Sequence, residues 1–397
     1  MKGFIDRKYR NLRHGDVNKN WRYVMIHALI LDPEEPEHSW QKRVGKTILT
    51  VFMLISSLRY ISAGLLRGEG HDYMFGHTFL CIGSIGRMTC IAAGLAFTQG
   101  TALRILNLQS GFGPQWFLLR LKSMTLYPEQ DLRVKKKYMA SQVLFLALVA
   151  FLVQTIGCYT IGMTTLVINW YTSRSQTETA MWVIWWMQGM ALVTLYELDM
   201  ALFPAIWFVM VVNFRMDLTY LIECVTVRTG NRKLLRRTWA EMYKLFTELS
   251  TQIVNLNRFS AGFLTTIVVF NSRYVCLTAH VTRYTSGYFT LAFLLVGTHP
   301  FILACVVQTL ASRINSLADK LHRALCSLQA RSWADLKLRQ RVQLLQMLDE
   351  LNPEQRQLTM TTSEGAKYTS ASFAGFVVET ISQYLLIVTL EKYIELE

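Results

Sequence analysis

The stretch that decides the fold is MASQVLFLALVAFLVQTIGCYTIGMTTLVI, which runs from Met139 to Ile168. It holds no Asp, Glu, Lys or Arg over its 30 residues. A helix needs about 20 mainly apolar residues to cross the hydrocarbon core of a membrane. The stretch therefore predicts a transmembrane helix, and its extra length predicts that this helix tilts or projects beyond the bilayer.

Other parts of the chain are also apolar enough to cross a membrane. Of all residues, 52% are apolar and only 17% are charged, whereas a soluble domain carries about 25% charged residues. We therefore predict an all-α membrane protein with seven transmembrane helices. The six further spans are Gly45–Leu66, Phe79–Thr98, Met181–Val212, Phe259–Val281, Tyr288–Leu310 and Ala371–Leu390.

The basic residues predict how the chain is oriented. There are 41 Lys and Arg against 27 Asp and Glu, a net charge of +14 that would favour nucleic-acid binding in a soluble protein. Counted by segment, 33 basic residues lie before the first span and in the second, fourth and sixth connections, and 4 lie in the other connections and the tail. Since positively charged loops stay in the cytosol, the N-terminus is predicted to be cytosolic and the C-terminus extracellular. No nucleic-acid partner is expected.

Several classes of protein are excluded by missing motifs. G-protein-coupled receptors have the opposite orientation, and this chain has neither a DRY triplet after the third span nor NPxxY in the seventh, so no G protein is expected. No Walker loop, HExxH or GxSxG motif occurs. The seven cysteines are odd in number and lack CxxC spacing, which argues against a disulfide framework or a zinc site. We expect no enzyme, no cofactor and no metal site.

The longer cytosolic connections carry apolar residues at helical spacing. The stripes occur in Arg232–Arg258, Ser312–Gln329 and Leu336–Leu351, so the helices of the fifth and sixth spans are expected to extend into the cytosol. Two interpretations stay open: the stripes bury each other within one chain, or they associate subunits beneath the membrane. In the last connection the stripe consists of Leu338, Val342, Leu345 and Leu348.

The seventh span carries part of a known signature. Insect gustatory receptors end in Thr-Tyr, five apolar residues and Gln-Phe. The matching stretch, Gln383–Glu391, keeps Tyr384 and the apolar run, with Gln, Leu and Glu in place of Thr, Gln and Phe. The stretch Asn255–Phe270 is also similar. Together with seven spans, an internal N-terminus and short outer loops, these features resemble the insect gustatory and odorant receptor superfamily.

The resemblance implies a ligand-gated, non-selective cation channel in the plasma membrane of chemosensory neurons, surrounded by membrane lipids. It implies a tetramer of identical or related subunits, opened by a small organic tastant or odorant, with gustatory type as the leading hypothesis. The implied segments are a cytosolic N-terminal segment (1–44), a six-helix region with the ligand pocket (45–310), a cytosolic helical anchor (311–370), and a pore helix with a short extracellular tail (371–397).

Two other functions stay open from the sequence. One is an odorant receptor subunit that conducts only beside a co-receptor; the chain lacks the long insertion that marks the co-receptor itself. The other is a secondary transporter, a class that often shows internal repeats and binding groups at the membrane midplane. No repeat is found, but the mid-span charges Arg87 and Glu379 keep this alternative.

Polar residues follow one side of the seventh span, from Ser372 at a heptad-like step. A carboxylate inside an apolar span needs water or polar partners, and a ring of Glu379 side chains would attract cations. The alternative is that Glu379 pairs inside the protein with Arg273 or Arg87. The predicted pore-lining residues are Gly375, Glu379, Ser382, Gln383, Leu386, Thr389 and Leu390.

Aromatic and polar residues gather at the predicted outer ends of the spans. Such a mixture suits a small organic ligand, although Trp and Tyr also accumulate at membrane interfaces without binding anything. The mid-span Arg273 is expected to form a structural ion pair, with Glu197 or Asp199 as candidates. The predicted ligand-binding residues are Tyr159, Thr160, Trp182, Trp185, Trp186, Gln188, Asn271, Tyr274, Thr278, Phe289 and Phe293.

Overall fold

A computed structural model describes residues 40–65, 84–109, 130–173, 175–228, 232–284, 287–352, 358–361 and 368–394. Within these ranges the chain forms eight α-helices and one turn of 3₁₀-helix at Trp333–Asp335. This confirms the all-α prediction for the described part of the chain. The helices are α1 (Trp40–Leu65), α2 (Ser84–Gln109), α3 (Gln130–Thr172), α4 (Gln176–Arg228), α5 (Arg232–Tyr284), α6 (Tyr288–Ser332), α7 (Leu338–Glu350) and α8 (Ser370–Ile394).

Five described helical stretches are long and apolar enough to cross a membrane. They belong to α1, α3, α4, α6 and α8, and they contain most of the first, third, fourth, sixth and seventh predicted spans. The other two predicted spans, Phe79–Thr98 and Phe259–Val281, fall on α2 and α5. The structure describes these two only in part, so the number seven and the orientation of the termini stay predictions. The apolar stretches are Thr47–Leu65, Tyr138–Thr172, Gln176–Thr226, Thr290–Asp335 and Ser370–Thr389.

The described helices divide between two compact units. The first contains α1 to α3, α4 as far as Ile206, α5 from Thr266, α6 as far as Ala304 and α8 from Gly375. The second contains residues 207–265 and 305–374, and so includes α7.

In the first unit, α1 and α2 approach each other closely through small residues. The Ser57 hydroxyl donates a hydrogen bond to the Gly94 carbonyl at 2.8 Å and also contacts the Thr98 hydroxyl. A Cβ atom at Gly94 would lie 2.6 Å from Ile61 Cγ1 and 3.1 Å from the Ser57 carbonyl oxygen. Only glycine fits here without a shift, since atoms of real side chains do not approach so closely. Gly94 therefore acts as a helix-packing position.

The second unit has an apolar core built from the N-terminal half of α5, the C-terminal half of α6, and α7. Three hydrogen bonds fix α7 against α5. Trp239 Nε1 donates to Gln343 Oε1 at 2.8 Å, the Tyr243 hydroxyl to Gln346 Oε1 at 2.7 Å, and the Ser250 hydroxyl to Glu350 Oε2 at 2.7 Å. The buried side chains include Met242, Phe246, Leu249, Ile253, Ile314, Leu321, Leu325, Leu328, Leu344 and Met347. The predicted extension of the fifth and sixth helices beyond their apolar spans is confirmed.

The apolar stripe predicted on α7 faces away from this core. Leu338, Val342 and Leu345 are 78%, 57% and 48% exposed, whereas Leu344 and Met347 are completely buried. The hydrogen bonds to α5 fix which face of α7 points to the core. At about 100° per residue, Gln343, Gln346 and Glu350 lie on the same side of the helix as Met347. Burial within one chain therefore accounts for the stripes on α5 and α6 but not for the one on α7.

A short segment before α8, residues 358–361, is called the strap below. Its Leu358, Thr359 and Met360 are buried. Two asparagines bind its main chain: Asn257 Nδ2 donates to the Thr359 carbonyl at 2.7 Å, and Asn315 contacts Met360. The strap thus lies between α5 and α6 in the second unit.

Candidate functional site

The first unit contains a cavity of about 80 Å³ between five helices. Its wall is almost entirely apolar and comes from α2, α3, α4, α5 and α6. The lining residues are Thr89, Ala92, Ala93, Ala96 and Phe97 on α2, Cys158 and Ile161 on α3, Met190, Val193, Tyr196 and Glu197 on α4, Thr278 and Val281 on α5, and Phe293 on α6.

The space exists because α2 presents small side chains where the other helices present large ones. Thr89, Ala92, Ala93 and Ala96 follow steps of three and four residues, which places them along one face of the helix. These side chains are too short to fill the gap opposite α3 and α4.

Two aromatic rings close one part of the wall. Phe97 meets Tyr196 edge to face, with ring centroids 6.1 Å apart and an interplanar angle of 85°, and Tyr60 packs behind Phe97 at 5.3 Å. The Tyr196 hydroxyl donates to Gln99 Oε1 at 3.3 Å. This arrangement presents a rigid aromatic surface to the cavity, as aromatic pairs prefer offset and edge-to-face geometry.

One lining residue is an acid. Glu197 is 4% exposed, and the Cys158 thiol donates to its Oε1 from 3.8 Å. Both residues line the cavity. A buried carboxyl group is costly unless hydrogen bonds or an opposite charge compensate its lost hydration. Glu197 is therefore the strongest polar feature of an otherwise apolar wall.

Two of the predicted ligand-binding residues, Thr278 and Phe293, line the cavity, and both are buried. Tyr159 and Thr160 lie on an exposed face of α3, where the Tyr159 hydroxyl contacts the Thr194 hydroxyl at 3.0 Å. The side chains of Asn271, Tyr274 and Phe289, like that of Arg273, lie outside the described residues.

The four predicted residues at the start of α4 do not line the cavity, and two of them, Trp185 and Gln188, contact α1 instead. The Arg59 guanidinium group stacks 3.6 Å from the centroid of Trp185 and donates a hydrogen bond to Gln188 Oε1. Gln188 Nε2 in turn donates to the Ser56 hydroxyl at 3.1 Å. The half-buried Trp182 and Trp186 also lie in this part of α4.

The α4 residues that line the cavity lie one to three turns further along the helix. They were not predicted to bind a ligand, and Glu197 was predicted only as a candidate ion-pair partner of Arg273. They are Met190, Val193, Tyr196 and Glu197. An available signal was the acid Glu197 inside an apolar span, because intramembrane ionisable groups mark functional positions. A second signal was the run of small residues on α2.

The predicted pore-lining residues lie on α8, most of which is exposed in a single chain. One face packs inward: Phe376 stacks on Phe301 with centroids 6.4 Å apart, and the Thr380 carbonyl accepts a hydrogen bond from the Cys276 thiol at 3.2 Å. Gly375, Glu379, Ser382, Leu386 and Thr389 are all exposed.

These exposed residues form one stripe, called the polar stripe below. At about 100° per residue, its centre lies roughly 130° around the helix from the packed face. Gln383 is half-buried beside the stripe, and its Nε2 donates to Glu379 Oε1 at 2.9 Å. The side chain of Leu390 lies outside the described residues. A separate exposed face carries the apolar Val378, Ile381 and Leu385.

Comparison with known proteins gives a likeness of fold. No family model and no curated protein matches the chain. Two solved structures of the insect olfactory receptor OR5 from Machilis hrabei do match, with 11% sequence identity, over 96% of this chain and 99% of that one. The TM-score is 0.67 for one structure and 0.68 for the one in complex with eugenol. The chain thus has the fold of an insect olfactory receptor, as the sequence resemblance predicts.

Proposed function

We propose that the chain is a subunit of a chemosensory, ligand-gated, non-selective cation channel in the plasma membrane of sensory neurons. The observation that carries this proposal is the polar stripe on α8, which exposes the Glu379 carboxyl in the middle of an apolar helix. The likeness to an insect olfactory receptor supports it. The proposed orientation has a cytosolic N-terminus and an extracellular C-terminus, following the positive-inside rule.

Contact of the polar stripe with lipid is unfavourable. A charged side chain at the centre of a bilayer costs about 2.5–3.5 kcal/mol on insertion scales. If four copies of α8 surround a central axis with their stripes inward, Glu379 meets water instead of lipid. A ring of carboxylates then attracts cations and disfavours anions. Leu386 and Leu390, towards the proposed outer end, would form an apolar constriction that closes the pore by dewetting.

Assembly of identical or related subunits would also cover two apolar surfaces that one chain leaves exposed. On α8 the surface consists of Val378, Ile381 and Leu385, and on α7 it consists of the stripe from Leu338 to Leu345. The segment 311–370, which includes α7, is the proposed cytosolic anchor between subunits. The proposed remaining segments are 1–44 in the cytosol, 45–310 with the ligand pocket, and 371–397 with the pore helix.

The proposed ligand is a small organic molecule that binds in the cavity of the first unit. An apolar, partly aromatic wall with few polar groups is typical of such sites. The Machilis hrabei receptor has been solved in complex with eugenol, itself a small organic molecule. The predicted outer residues, such as Trp182 and Trp186, are proposed to line the path by which the ligand enters.

Two receptor types remain candidates within this function. The signature at Tyr384 favours a gustatory receptor, which would conduct as a homomer or with related subunits. The olfactory receptors found by fold favour an odorant subunit, which would need a co-receptor. A secondary transporter is the further alternative.

Expression of the full chain alone, with patch-clamp recording during application of small organic compounds, tests these candidates together. Ligand-evoked unitary currents that reverse near 0 mV in mixed Na⁺ and K⁺ solutions support the channel and exclude a transporter. Currents that require a co-expressed co-receptor subunit support the odorant type. Uptake of a ligand without unitary currents in either condition would overturn the channel proposal.

A further inference from the structure

We propose that the cavity binds a small organic amine and that the Glu197 carboxylate pairs with the ammonium group of this ligand. The inference rests on the proposed function in one respect, since the cavity is taken as the ligand site. It goes further by naming the chemical class of the ligand and the residue that selects it.

The first argument concerns the hydrogen bonds of Glu197. Glu197 is only 4% exposed. Within the described part of the chain, its carboxyl group accepts a hydrogen bond from the Cys158 thiol at 3.8 Å. A carboxylate has about four acceptor positions, and a thiol is a weak donor. The acceptor capacity of Glu197 is therefore largely unused at the wall of a cavity that holds about 80 Å³.

The second argument concerns the other polar groups of the wall. The Tyr196 hydroxyl donates to Gln99, and both Thr89 and Thr278 have partners of their own. The rest of the wall is apolar apart from Cys158. A polar ligand group thus gains most by approaching Glu197, where a charge-assisted hydrogen bond is about twice as strong as a neutral one.

The third argument concerns the shape and chemistry of the remaining wall. Ile161, Val193 and Phe293 supply hydrocarbon surface, and Phe97 and Tyr196 supply aromatic surface. Aromatic rings attract cations, and the attraction is stronger where the contact excludes water. The cavity is small, about 80 Å³, so the favoured ligand is one ammonium group on a short aliphatic body, such as propylamine.

A matched series of ligands tests this inference on the full chain purified in detergent. Propylamine, 1-propanol and 1-chloropropane have nearly the same shape and fit a cavity of about 80 Å³. They carry an ammonium group, a neutral donor and no donor, respectively. Binding is measured as the ligand-dependent rise in unfolding temperature. We expect propylamine to bind at least tenfold more tightly than either neutral compound. Equal or weaker binding of the amine would overturn the inference, and this comparison needs no mutant.

Two variants test whether the carboxylate of Glu197 causes the preference for the amine. Glu197→Gln keeps the shape of the side chain and removes its charge, so it should weaken amine binding at least tenfold and leave the binding of 1-chloropropane unchanged. Glu223→Gln is the matched control, because it removes an exposed carboxylate from the same helix, α4. An unchanged amine affinity in Glu197→Gln would also overturn the inference. If that variant fails to fold, Glu197→Asp should retain the preference for the amine.

Electrical recording separates this inference from the proposed function. Amine binding that depends on Glu197 without any evoked current supports the inference and counts against the channel. Currents evoked by neutral compounds but not by amines support the channel and overturn the inference.

Discussion

Asn315 on α6 binds the main chain of Met360 through both ends of its side-chain amide. Its Nδ2 donates to the Met360 carbonyl at 3.0 Å, and the Met360 N–H donates to its Oδ1 at 2.7 Å. The same Nδ2 also donates to the Tyr368 carbonyl at 2.8 Å. One side chain thus pairs with three main-chain groups, two in the strap and one at Tyr368, just before α8.

The first prediction is that Asn315→Leu destabilises the second unit locally. Leucine has a similar volume but no hydrogen-bonding atoms, and each buried polar group left unpaired costs about 1–3 kcal/mol. We expect a loss of about 3 kcal/mol or more in unfolding free energy, with faster hydrogen exchange at the Met360 and Tyr368 amides. The control is Ser316→Ala at the exposed neighbouring position. Unchanged exchange at Met360 would show that the asparagine does not hold the strap.

The second prediction compares two glycines in apolar helices. Gly94→Ala should destabilise the first unit by about 1–3 kcal/mol, because overpacking forces neighbouring atoms to move. The new Cβ would lie 2.6 Å from Ile61 Cγ1 and 3.0 Å from the Ile61 main-chain nitrogen. Gly157→Ala should be neutral or stabilising, since nothing lies within 4 Å of its Cβ position and alanine favours helix by about 1 kcal/mol. Thermal unfolding of the two variants in the same detergent measures the difference, and equal destabilisation would contradict close packing at Gly94.

The third prediction concerns the stacking of Arg59 on Trp185. Trp185→Leu removes the ring that the guanidinium group covers at 3.6 Å and should lower stability by about 1–2 kcal/mol, which is typical of a largely desolvated cation–π contact. Trp170→Leu is the control, because Trp170 is 59% exposed. If both variants unfold at the same temperature, the Arg59 contact contributes nothing beyond ordinary surface packing.

The elements that could be predicted from sequence are those that depend on local pattern. A 30-residue stretch without charge such as Met139–Ile168 can only be accommodated as a long apolar helix, and it lies within α3. The stripe around Phe246 on α5 also identified its buried face, because helical spacing alone places those residues together.

The cavity depends instead on which helices become neighbours. Trp185 and Gln188 have the composition expected of a ligand pocket, but Arg59 of α1 engages both. Nothing in the sequence near Arg59 indicates that α1 packs there. The residues that do line the cavity on α4, such as Met190 and Val193, look like ordinary membrane-helix residues. Apart from the acid Glu197 and the small residues of α2, the side chains that line this pocket form no sequence pattern of their own.

The fourth prediction separates the two faces of α7. Leu345→Glu places a charge on the exposed stripe, so it should leave the unfolding temperature of the single chain nearly unchanged and reduce the assembled fraction. Leu344→Glu, one residue earlier, buries a charge at a position with no exposure and should unfold the second unit, since an unpaired buried charge costs several kcal/mol. Light scattering after size-exclusion chromatography measures assembly. Normal assembly of Leu345→Glu would show that this stripe does not join subunits.

The fifth prediction concerns ion permeation past Glu379. The variant Glu379→Gln removes four charges from the proposed tetramer. It keeps the side-chain shape and an oxygen that can accept the hydrogen bond from Gln383 Nε2. Two opposite unit charges 4 Å apart attract each other with an energy of about 1 kcal/mol in water. For a divalent cation, the attraction to each carboxylate is twice as large. The permeability ratio of Ca²⁺ to Na⁺, taken from reversal potentials, should therefore fall at least about fivefold. Asp319→Asn is the control, because it removes an exposed carboxylate on α6, outside the polar stripe. An unchanged ratio in Glu379→Gln would place this carboxylate away from the ion path, so that another face of α8 would have to line the pore.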